Sequence, residues 1–316
     1  MSILRPLFRV MSPPGPRARL SVLIFHRVLR QQDPLFPGEM YAQRFDTVCG
    51  WLKSWFNILP LDAAVAQLKA GTLPARAACI TFDDGYADNC QVALPILQRH
   101  GISASFFIAT GFIDGGRMWN DTIIESIRSC KNAELDLSSL DFGRHELGSI
   151  DQRRNAIAVL VDQIKYRTLE QRVTITEQLA NLAGMQPPRN LMMTSDEVMA
   201  LRKAGMQIGA HTVTHPILAR LAEAQVLQEV QDSRNFLESL LQERVGLFAY
   251  PNGKPGEDYS PQCVDIVRSL GFDAAVSTQW GSSSVATDLF QIRRFTPWDK
   301  SKLRFGARLL ANLRSA

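Results

Sequence analysis

Residues 77–85 read AACITFDDG, an apolar run that ends in two adjacent carboxylates and a glycine. A continuous apolar run of this length predicts a strand buried on both faces, as in a parallel sheet. Adjacent residues of a strand point to opposite faces, so Asp83 and Asp84 can share one site only where the strand gives way to a loop. Gly85 permits a sharp exit at that point. We therefore expect both carboxylates at the end of a core strand.

Apolar runs and helical patterns alternate along most of the chain, which predicts a parallel sheet with helical crossovers. The predicted strands cover residues 20–25, 77–82, 104–110, 207–210, 246–250, 274–277 and 290–295. The expected fold is a distorted (β/α) barrel of about seven parallel strands. In such a barrel, polar residues at the carboxyl ends of strands gather at one mouth. The residues at these predicted ends are His26, Asp83, Asp84 and His211.

The strand–helix alternation stops between about residues 114 and 190, where polar helical patterns occur instead. We interpret this segment as a helical insertion on the side of the barrel that carries the polar strand ends. The predicted organisation is a basic tail at residues 1–19, the barrel at residues 20–298 and a basic amphipathic helix at residues 299–316.

The composition is that of an ordinary globular protein, with 46% hydrophobic and 21% charged residues. Residues 1–19 carry four arginines and no acid, and residues 299–316 carry five basic residues and one acid, so the body between them is mildly acidic. Basic ends suit an anionic membrane surface; the alternative is a pair of solvated, partly disordered termini. A nucleic-acid partner is not expected, because no basic surface with interleaved aromatic residues runs through the body.

The five cysteines are scattered and contain no CxxC pair, so neither a disulfide framework nor a cysteine-bound metal is predicted. The chain has no apolar stretch that predicts a signal peptide, and no run of about eighteen apolar residues that predicts a transmembrane helix. We therefore expect a cytoplasmic protein. Peripheral contact with the inner membrane face is an option through the C-terminal helix.

Residues 211–215 read HTVTH, two histidines four positions apart that follow a predicted strand. Two imidazoles and one carboxylate are the ligands of an open, three-ligand metal site. Such a site beside a second carboxylate is suited to activating a water molecule. The residues therefore indicate a metal-dependent hydrolase. The alternative for the two carboxylates is a turn in which one of them caps the next helix.

Both motifs together, in this order, resemble those of the polysaccharide deacetylase superfamily, the fourth carbohydrate esterase family with its nodulation-deacetylase-like domain. TFDDG at residues 81–85 and HTVTH at residues 211–215 look like the first two motifs of that family. Either motif alone is less specific, since two histidines at this spacing also occur on structural helices. The resemblance covers residues 20–298.

The resemblance implies roles for the residues of these two motifs. Asp84, His211 and His215 would bind a divalent metal, most often zinc. Asp83 would be the catalytic base that takes a proton from the attacking water. Nitrogen and oxygen ligands accept several divalent ions, so the residue types alone do not select zinc.

The third motif of the family is altered in this chain. Family members often have Arg-x-Pro-x-Gly, whereas residues 249–253 read AYPNG, with alanine at the arginine position. The resemblance implies that backbone N–H groups of this turn face the developing oxyanion and the substrate. The residues of the turn are Tyr250, Pro251, Asn252 and Gly253. Without the motif's arginine, Arg293 or Arg294 from the last predicted strand could orient Asp83; alternatively, both arginines meet surface carboxylates.

The fifth motif of the family, Leu-x-His, supplies a general acid, but residues 292–294 read IRR. His26, at the end of the first predicted strand, is the remaining candidate. A histidine in this position resembles the layout of poly-N-acetylglucosamine deacetylases from bacterial exopolysaccharide systems. First and last strands are neighbours in a closed barrel, so the exchange is geometrically reasonable. The alternative is a core histidine bonded to the backbone.

The residues and the resemblance together predict an enzyme that removes N-acetyl groups from amino sugars of a polysaccharide or a lipid-linked oligosaccharide. Asp83 would act as base and His26 as acid. Two alternatives stay open: a hydrolase of small amides or cyclic ureides on the same fold, and a catalytically silent carbohydrate-binding relative. Trp119, at the start of the insertion, is either an aromatic platform for a sugar or an anchor of the insertion.

Overall fold

The computed structural model describes residues 4–315, and its centre is a ring of parallel strands. The strands in chain order are β1 (Ser21–Phe25), β2 (Asn57–Ile58), β3 (Ala77–Phe82), β4 (Ser105–Ile108), β5 (Glu134–Asp136), β6 (Arg144–Glu146), β7 (Gln207–Ala210), β8 (Leu247–Ala249), β9 (Ala274–Val276) and β10 (Arg294–Phe295). Around the ring, the order is β1, β3, β4, β7, β8, β9 and β10. The short β2 pairs with β3 outside this path.

The ring is nearly closed by its last strand. β10 pairs with β1 in parallel, with Val22 opposite Arg294 and Leu23 opposite Phe295. On the other side, Ile292 forms a parallel bridge with Val276 of β9. The expected distorted barrel of seven parallel strands is therefore confirmed.

Helices flank the ring, as the alternating pattern predicts. They are α1 (Leu4–Met11), α2 (Ala42–Trp55), α3 (Leu61–Ala70), α4 (Leu94–His100), α5 (Trp119–Ser129), α6 (Ile150–Ile164), α7 (Leu169–Leu182), α8 (Ser195–Lys203), α9 (Glu223–Leu241), α10 (Pro261–Ser269) and α11 (Lys302–Arg314). α2 illustrates the pattern, because Phe45, Val48 and Leu52 recur at helical spacing and are all buried.

Alternate residues of a ring strand belong to two different hydrophobic clusters. In β3, Cys79 packs in one cluster with Val22 and Phe107 of other strands. The next residue, Ile80, belongs to the cluster that includes Leu97 of a flanking helix. Strands covered on both faces have apolar residues at every position, which is why their sequences are continuous apolar runs.

The segment 114–190 has a small hydrophobic core of its own. The helices α5, α6 and α7 contribute Ile123, Ile157 and Leu179 to it. The segment also contains an antiparallel pair, β5 with β6, in addition to the expected helices. Each of these strands has three residues with mostly exposed side chains, so the sequence contains no alternation long enough to indicate them.

Both ends of the chain fold against the barrel and are not solvated tails. In α1, the ring of Phe8 is buried, with its centroid 4.6 Å from that of Phe56. In α11, Phe305, Leu309 and Leu313 are buried in the main core. Residues 1–3 of the expected basic tail and residue 316 of the expected C-terminal helix lie outside the described residues.

The burial of this apolar face bears on the expected membrane contact. Three apolar residues of α11 that would enter a membrane surface, Phe305, Leu309 and Leu313, already pack inside the protein, so that contact is not supported. Among residues 4–315, no helix has the length and apolar character needed to cross a bilayer.

Candidate active site

A cavity of about 310 Å³ lies where the carboxyl ends of the ring strands meet the insertion. The loops that follow ring strands contribute His26, Asp83, Asp84, His211, His215, Asn252 and Thr278 to its lining. The insertion contributes Met118, Trp119, Asn120, Val161, Lys165 and Arg172. Residues that are far apart in the sequence therefore meet at one end of the barrel, as its strand geometry predicts.

The three expected metal ligands converge in this cavity. The Nε2 atoms of His211 and His215 each lie 3.5 Å from Oδ1 of Asp84. One ligand atom from each residue can be chosen so that all three lie within 4.8 Å of one another. Within the described chain, Oδ1 of Asp84 is buried without a hydrogen-bond donor. A buried carboxylate oxygen that faces two imidazole nitrogens fits a divalent cation.

Both histidines direct Nε2 toward Asp84, where a metal would displace the proton that the carboxylates favour on His211. Nδ1 of His211 lies 2.7 Å from the carbonyl oxygen of Ala249, so Nδ1–H donates there and the Nε2 lone pair faces Asp84. Burial lowers the pKa of His215 to about 4, which keeps its imidazole neutral near pH 7. Burial also opposes protonation of His211, but the neighbouring carboxylates Asp84 and Asp83 outweigh it and raise the pKa. The same carboxylates attract a metal cation.

The backbone at Asp84 explains how two adjacent carboxylates reach one cavity. Asp84 has φ +77° and Gly85 has φ +91°. The left-handed region costs a residue with a side chain about 1–3 kcal/mol, and such strain concentrates at functional sites. This turn removes Asp84 from the alternation of β3, so it lines the same cavity as Asp83.

Asp83 is held by a buried arginine from β10. Nη1 and Nη2 of Arg294 donate to Oδ1 and Oδ2 of Asp83, each at 2.7 Å. Nε of the same arginine donates to the carbonyl oxygen of Ser277 at 2.8 Å. Burial acts to raise the pKa of Asp83, but the charge and hydrogen bonds of Arg294 outweigh it, so the pKa lies below its ordinary value. Asp83 is therefore ionised and its oxygens are fixed in direction.

The structure shows which of the two arginines considered in the sequence analysis contacts Asp83. Consecutive residues of extended backbone point to opposite sides, and Arg294 is the one directed at Asp83. Arg293 is half-buried, and its backbone N–H donates to Oγ of Ser283 at 3.1 Å. The alternative that both arginines meet surface carboxylates is therefore wrong for Arg294.

The turn formed by residues 250–253 contributes one residue to the cavity, Asn252. The side chain of Tyr250 is buried in the core, and its backbone N–H donates to the neighbouring strand β9. The N–H of Gly253 donates to the carbonyl oxygen of Pro251 at 2.6 Å. In the described chain, the N–H of Asn252 has no acceptor. The backbone N–H groups of Tyr250 and Gly253 therefore already donate to carbonyl oxygens of the protein, and Pro251 has no N–H. Of the expected oxyanion donors, this leaves the N–H of Asn252.

His26 follows β1 and lines the same cavity as the metal ligands. The residue is exposed, and over residues 4–315 its ring forms no hydrogen bond. Its backbone carbonyl accepts a hydrogen bond from Nδ2 of Asn89 at 2.8 Å. The alternative of a core histidine bonded to the backbone is therefore wrong, and the ring is accessible to a substrate.

Trp119 begins α5 and lines the cavity from the side of the insertion. Its ring is half-buried and packs against the core of the insertion. The guanidinium carbon of Arg172 lies 5.4 Å from the ring centroid. Trp119 therefore anchors the insertion and lines the cavity, so its two interpretations do not exclude each other.

A sequence profile described as "Polysaccharide deacetylase" matches residues 70–275. The chain belongs to this family. It is also 19% identical over 279 residues to YxkH of Bacillus subtilis (strain 168), an alignment that covers 88% of this chain and 71% of that protein.

Among the solved structures that share the fold of this chain are two proteins with TM-scores of about 0.6. The Streptococcus pyogenes deacetylase PplD, in complex with acetate, has a TM-score of 0.61 at 18% identity and covers 94% of this chain and 98% of its own. IcaB from Ammonifex degensii has a TM-score of 0.60 at 17% identity and covers 96% of this chain and 99% of its own. The family predicted from the two motifs is confirmed.

Glu229 of α9 holds the loop that carries both histidines. One carboxylate oxygen accepts from the backbone N–H groups of Val213 at 2.8 Å and Thr214 at 2.9 Å, and the other accepts from the Thr214 hydroxyl at 2.6 Å. The loop needs this support, because Thr212 and His215 have φ +65° and +52°. No sequence pattern singled out Glu229, which lies in a long helix among other polar residues.

Replacing Glu229 with glutamine is expected to weaken zinc binding by about 10- to 100-fold, the usual effect of losing a partner that orients metal ligands. The amide retains one acceptor oxygen and places a donor where the other oxygen stood. Competition with a zinc-binding dye measures the affinity. The control Asp232→Asn removes the same charge from an exposed position of the same helix and should bind zinc normally. Equal losses in both variants would contradict the positioning role.

Proposed function

We propose that this protein is a metal-dependent hydrolase that removes N-acetyl groups from amino sugars of a polysaccharide or a lipid-linked oligosaccharide. The observation that carries the proposal is the convergence of Asp84, His211 and His215 beside an ionised Asp83 in one cavity. The metal we propose is zinc, because two imidazoles and a carboxylate form a common catalytic zinc set. Membership of the polysaccharide deacetylase family supports an acetylated glycan as substrate.

The proposed reaction begins with attack of water on the acetamide carbon. A divalent ion held by the three ligands supplies a Lewis acid that polarises the carbonyl and acidifies water. Asp83 takes the proton of the attacking water as the new C–O bond forms. Arg294 keeps Asp83 ionised and directs its oxygens. The N–H of Asn252 donates to the carbonyl oxygen as negative charge develops there.

His26 completes the reaction as the general acid. It donates a proton to the amine nitrogen as the C–N bond breaks, which releases acetate and leaves a free amino group on the sugar. This scheme requires Asp83 ionised and His26 protonated at the same time. The rate should therefore have a bell-shaped dependence on pH.

Replacing His26 with alanine is expected to lower kcat by about 10²- to 10⁴-fold, the range that a general acid supplies. The alkaline limb of the pH–rate profile should flatten, because the group that must be protonated is gone. Acetate release across the pH range and metal analysis measure both effects. The control His145→Ala removes a ring whose Nε2 lies 2.9 Å from the carbonyl oxygen of Phe142, outside the cavity, and should leave the profile unchanged. A wild-type rate in His26→Ala would exclude it as the acid.

Acetate release from zinc-loaded protein tests the proposed function. N-acetylated chito-oligosaccharides are compared with small amides and cyclic ureides under the same conditions. Release of acetate from the oligosaccharides supports the proposal. Preferential turnover of the small amides would instead support the other C–N hydrolase, and binding of oligosaccharides without turnover would support a silent carbohydrate-binding protein.

A further inference from the structure

Basic side chains that have no carboxylate partner within residues 4–315 line one side of the cavity. We call Lys165, Arg167, Arg172 and Arg220 the basic wall. All four line a second cavity of about 830 Å³ between the insertion and the loop that carries the histidines. Lys165 and Arg172 also line the cavity that contains the metal ligands. The two cavities therefore adjoin, and the basic wall extends from one into the other.

Arg172, in the first turn of α7, is the most informative member of the wall. It is only 7% exposed, and its Nε is buried without a hydrogen-bond partner. Burial lowers the pKa of Arg172, with no carboxylate acting against that effect. Its described contact is with the Trp119 ring, at 5.4 Å from guanidinium carbon to centroid.

The buried guanidinium of Arg172 lacks a hydrogen-bond acceptor for its Nε–H group within the described chain. Burying a charge costs free energy that proteins normally offset with an ion pair and hydrogen bonds. Contact with an aromatic face offsets part of that cost, but it satisfies none of the N–H donors of Arg172. Within the described chain, Nε of Arg172 therefore has no acceptor, and an anion bound in the cavity would supply one.

Arg220 and Lys165 add positive charge to the cavity that Arg172 lines. The guanidinium carbon of Arg220 lies 4.4 Å from the Tyr166 ring centroid, and Nζ of Lys165 lies 5.5 Å from it. Carboxylates also line the larger cavity, namely Glu170, Glu229 and Asp232. Glu229 accepts its hydrogen bonds from the histidine loop, and within residues 4–315 none of the three carboxylates forms an ion pair with the wall.

We propose that the glycan substrate carries an anionic group close to the sugar that is deacetylated, and that Arg172 and Lys165 bind this group. The recognised chemistry is an oxyanion, either the carboxylate of an acidic sugar or a phosphate ester. Arg172 offers a planar fork of N–H donors that matches both groups. The inference rests on the proposed function for the identity of the neighbouring sugar, but the anion site itself does not require turnover.

Binding to zinc-loaded Asp83→Asn protein tests the site without turnover. The carboxylate arm compares a tetrasaccharide of alternating glucuronic acid and N-acetylglucosamine with its carboxyl-reduced, neutral form. The phosphate arm compares N-acetylglucosamine 1-phosphate with the methyl glycoside of N-acetylglucosamine. In at least one arm the anionic ligand should bind about tenfold more tightly, the effect of one charge-assisted hydrogen-bonded contact. The arm that shows the difference identifies the anion.

Variants of Arg172 assign the effect to this residue. Arg172→Met should remove about the same tenfold preference while leaving the neutral ligand unaffected. Arg172→Lys keeps the charge and should retain part of the preference, which a merely structural role would not produce. The control Lys131→Gln removes an exposed cation of the insertion, outside the wall, and should bind like the parent protein.

Two outcomes would overturn the inference: equal affinity for charged and neutral ligands in both arms, or equal weakening of charged and neutral ligands by Arg172→Met. Wild-type acetate release from the same compounds tests the proposed function separately. If no compound is deacetylated, that function fails while the binding data still decide the anion site. If neutral and acidic glycans are both deacetylated but bound equally well, only the anion site fails.

Discussion

Asp83→Asn is expected to lower kcat for acetate release by about 10²- to 10⁴-fold, the contribution of a positioned general base. Asparagine occupies the same volume and retains one acceptor for Arg294, but it cannot take a proton from the attacking water. Asp83 is not one of the three proposed metal ligands, so the zinc content should not fall. Steady-state acetate release and metal analysis of the same preparation measure both quantities.

The control for Asp83→Asn must separate loss of a base from loss of stability. Asp83 forms a buried pair with Arg294, and breaking such a pair typically costs about 3–5 kcal/mol of unfolding free energy. Asp299→Asn breaks another carboxylate–arginine pair, in which the buried Asp299 meets the half-buried Arg308 at 2.6 Å, outside the cavity. It should lose stability but keep kcat. If Asp83→Asn retains kcat within about tenfold of wild type at full zinc content, the base assignment is refuted.

Asp84→Ala is expected to abolish zinc binding at concentrations that saturate the wild type, and with it the measurable activity. The loss of zinc affinity should be larger than the loss of about 10- to 100-fold expected when a residue that only positions the ligands is replaced. Asp84 is itself one of the three proposed ligands. Calorimetric zinc titration and acetate release measure the effect. Chelation should inactivate the wild type as well, but added zinc should restore the wild type and not the variant.

Thermal unfolding provides an independent measurement of the same site. Zinc binds the folded state, so it should raise the Tm of the wild type by an amount that grows with the logarithm of its affinity, and leave that of Asp84→Ala unchanged. Without zinc, the variant should be less stable than the wild type near pH 7. Burial acts to raise the pKa of Asp84, but the neighbouring histidines outweigh it and hold the pKa below its ordinary value, and that favourable interaction is lost in the variant. Zinc stabilisation of Asp84→Ala equal to that of the wild type would rule out Asp84 as a ligand.

Much of the barrel could be predicted from local sequence. Strands covered on both faces need apolar side chains at every position, so β3 and β4 are visible as apolar runs. The β5–β6 pair could not be predicted, because three-residue strands with exposed side chains leave no periodic pattern. The burial of the two terminal segments in the main core was also not predicted, because the packing of Phe8 and Phe305 depends on surfaces formed by other parts of the chain.

Part of the candidate site could likewise be predicted from local sequence, and part of it could not. Asp83, Asp84, His211 and His215 could be found because each chemical group lies directly after a strand, within a short and recognisable motif. The choice of Arg294 over Arg293 could not be made, since it depends on which side of the chain each residue faces where β10 meets β1. The contribution of Asn252 depends on which N–H groups of its turn are already bonded.

The sequence by itself therefore determined the barrel, and the resemblance of its two motifs to a known family supplied the proposed metal ligands and base, because both depend on residue type and order along short segments. Only the tertiary structure decided which charges are paired. Arg294 reaches Asp83 across 211 positions of sequence, and Glu229 supports the histidine loop from a separate helix. Arg172 remains unpaired because no described carboxylate packs against it. Charge pairing depends on distance and burial in the folded chain, and neither quantity is a property of a local stretch of sequence.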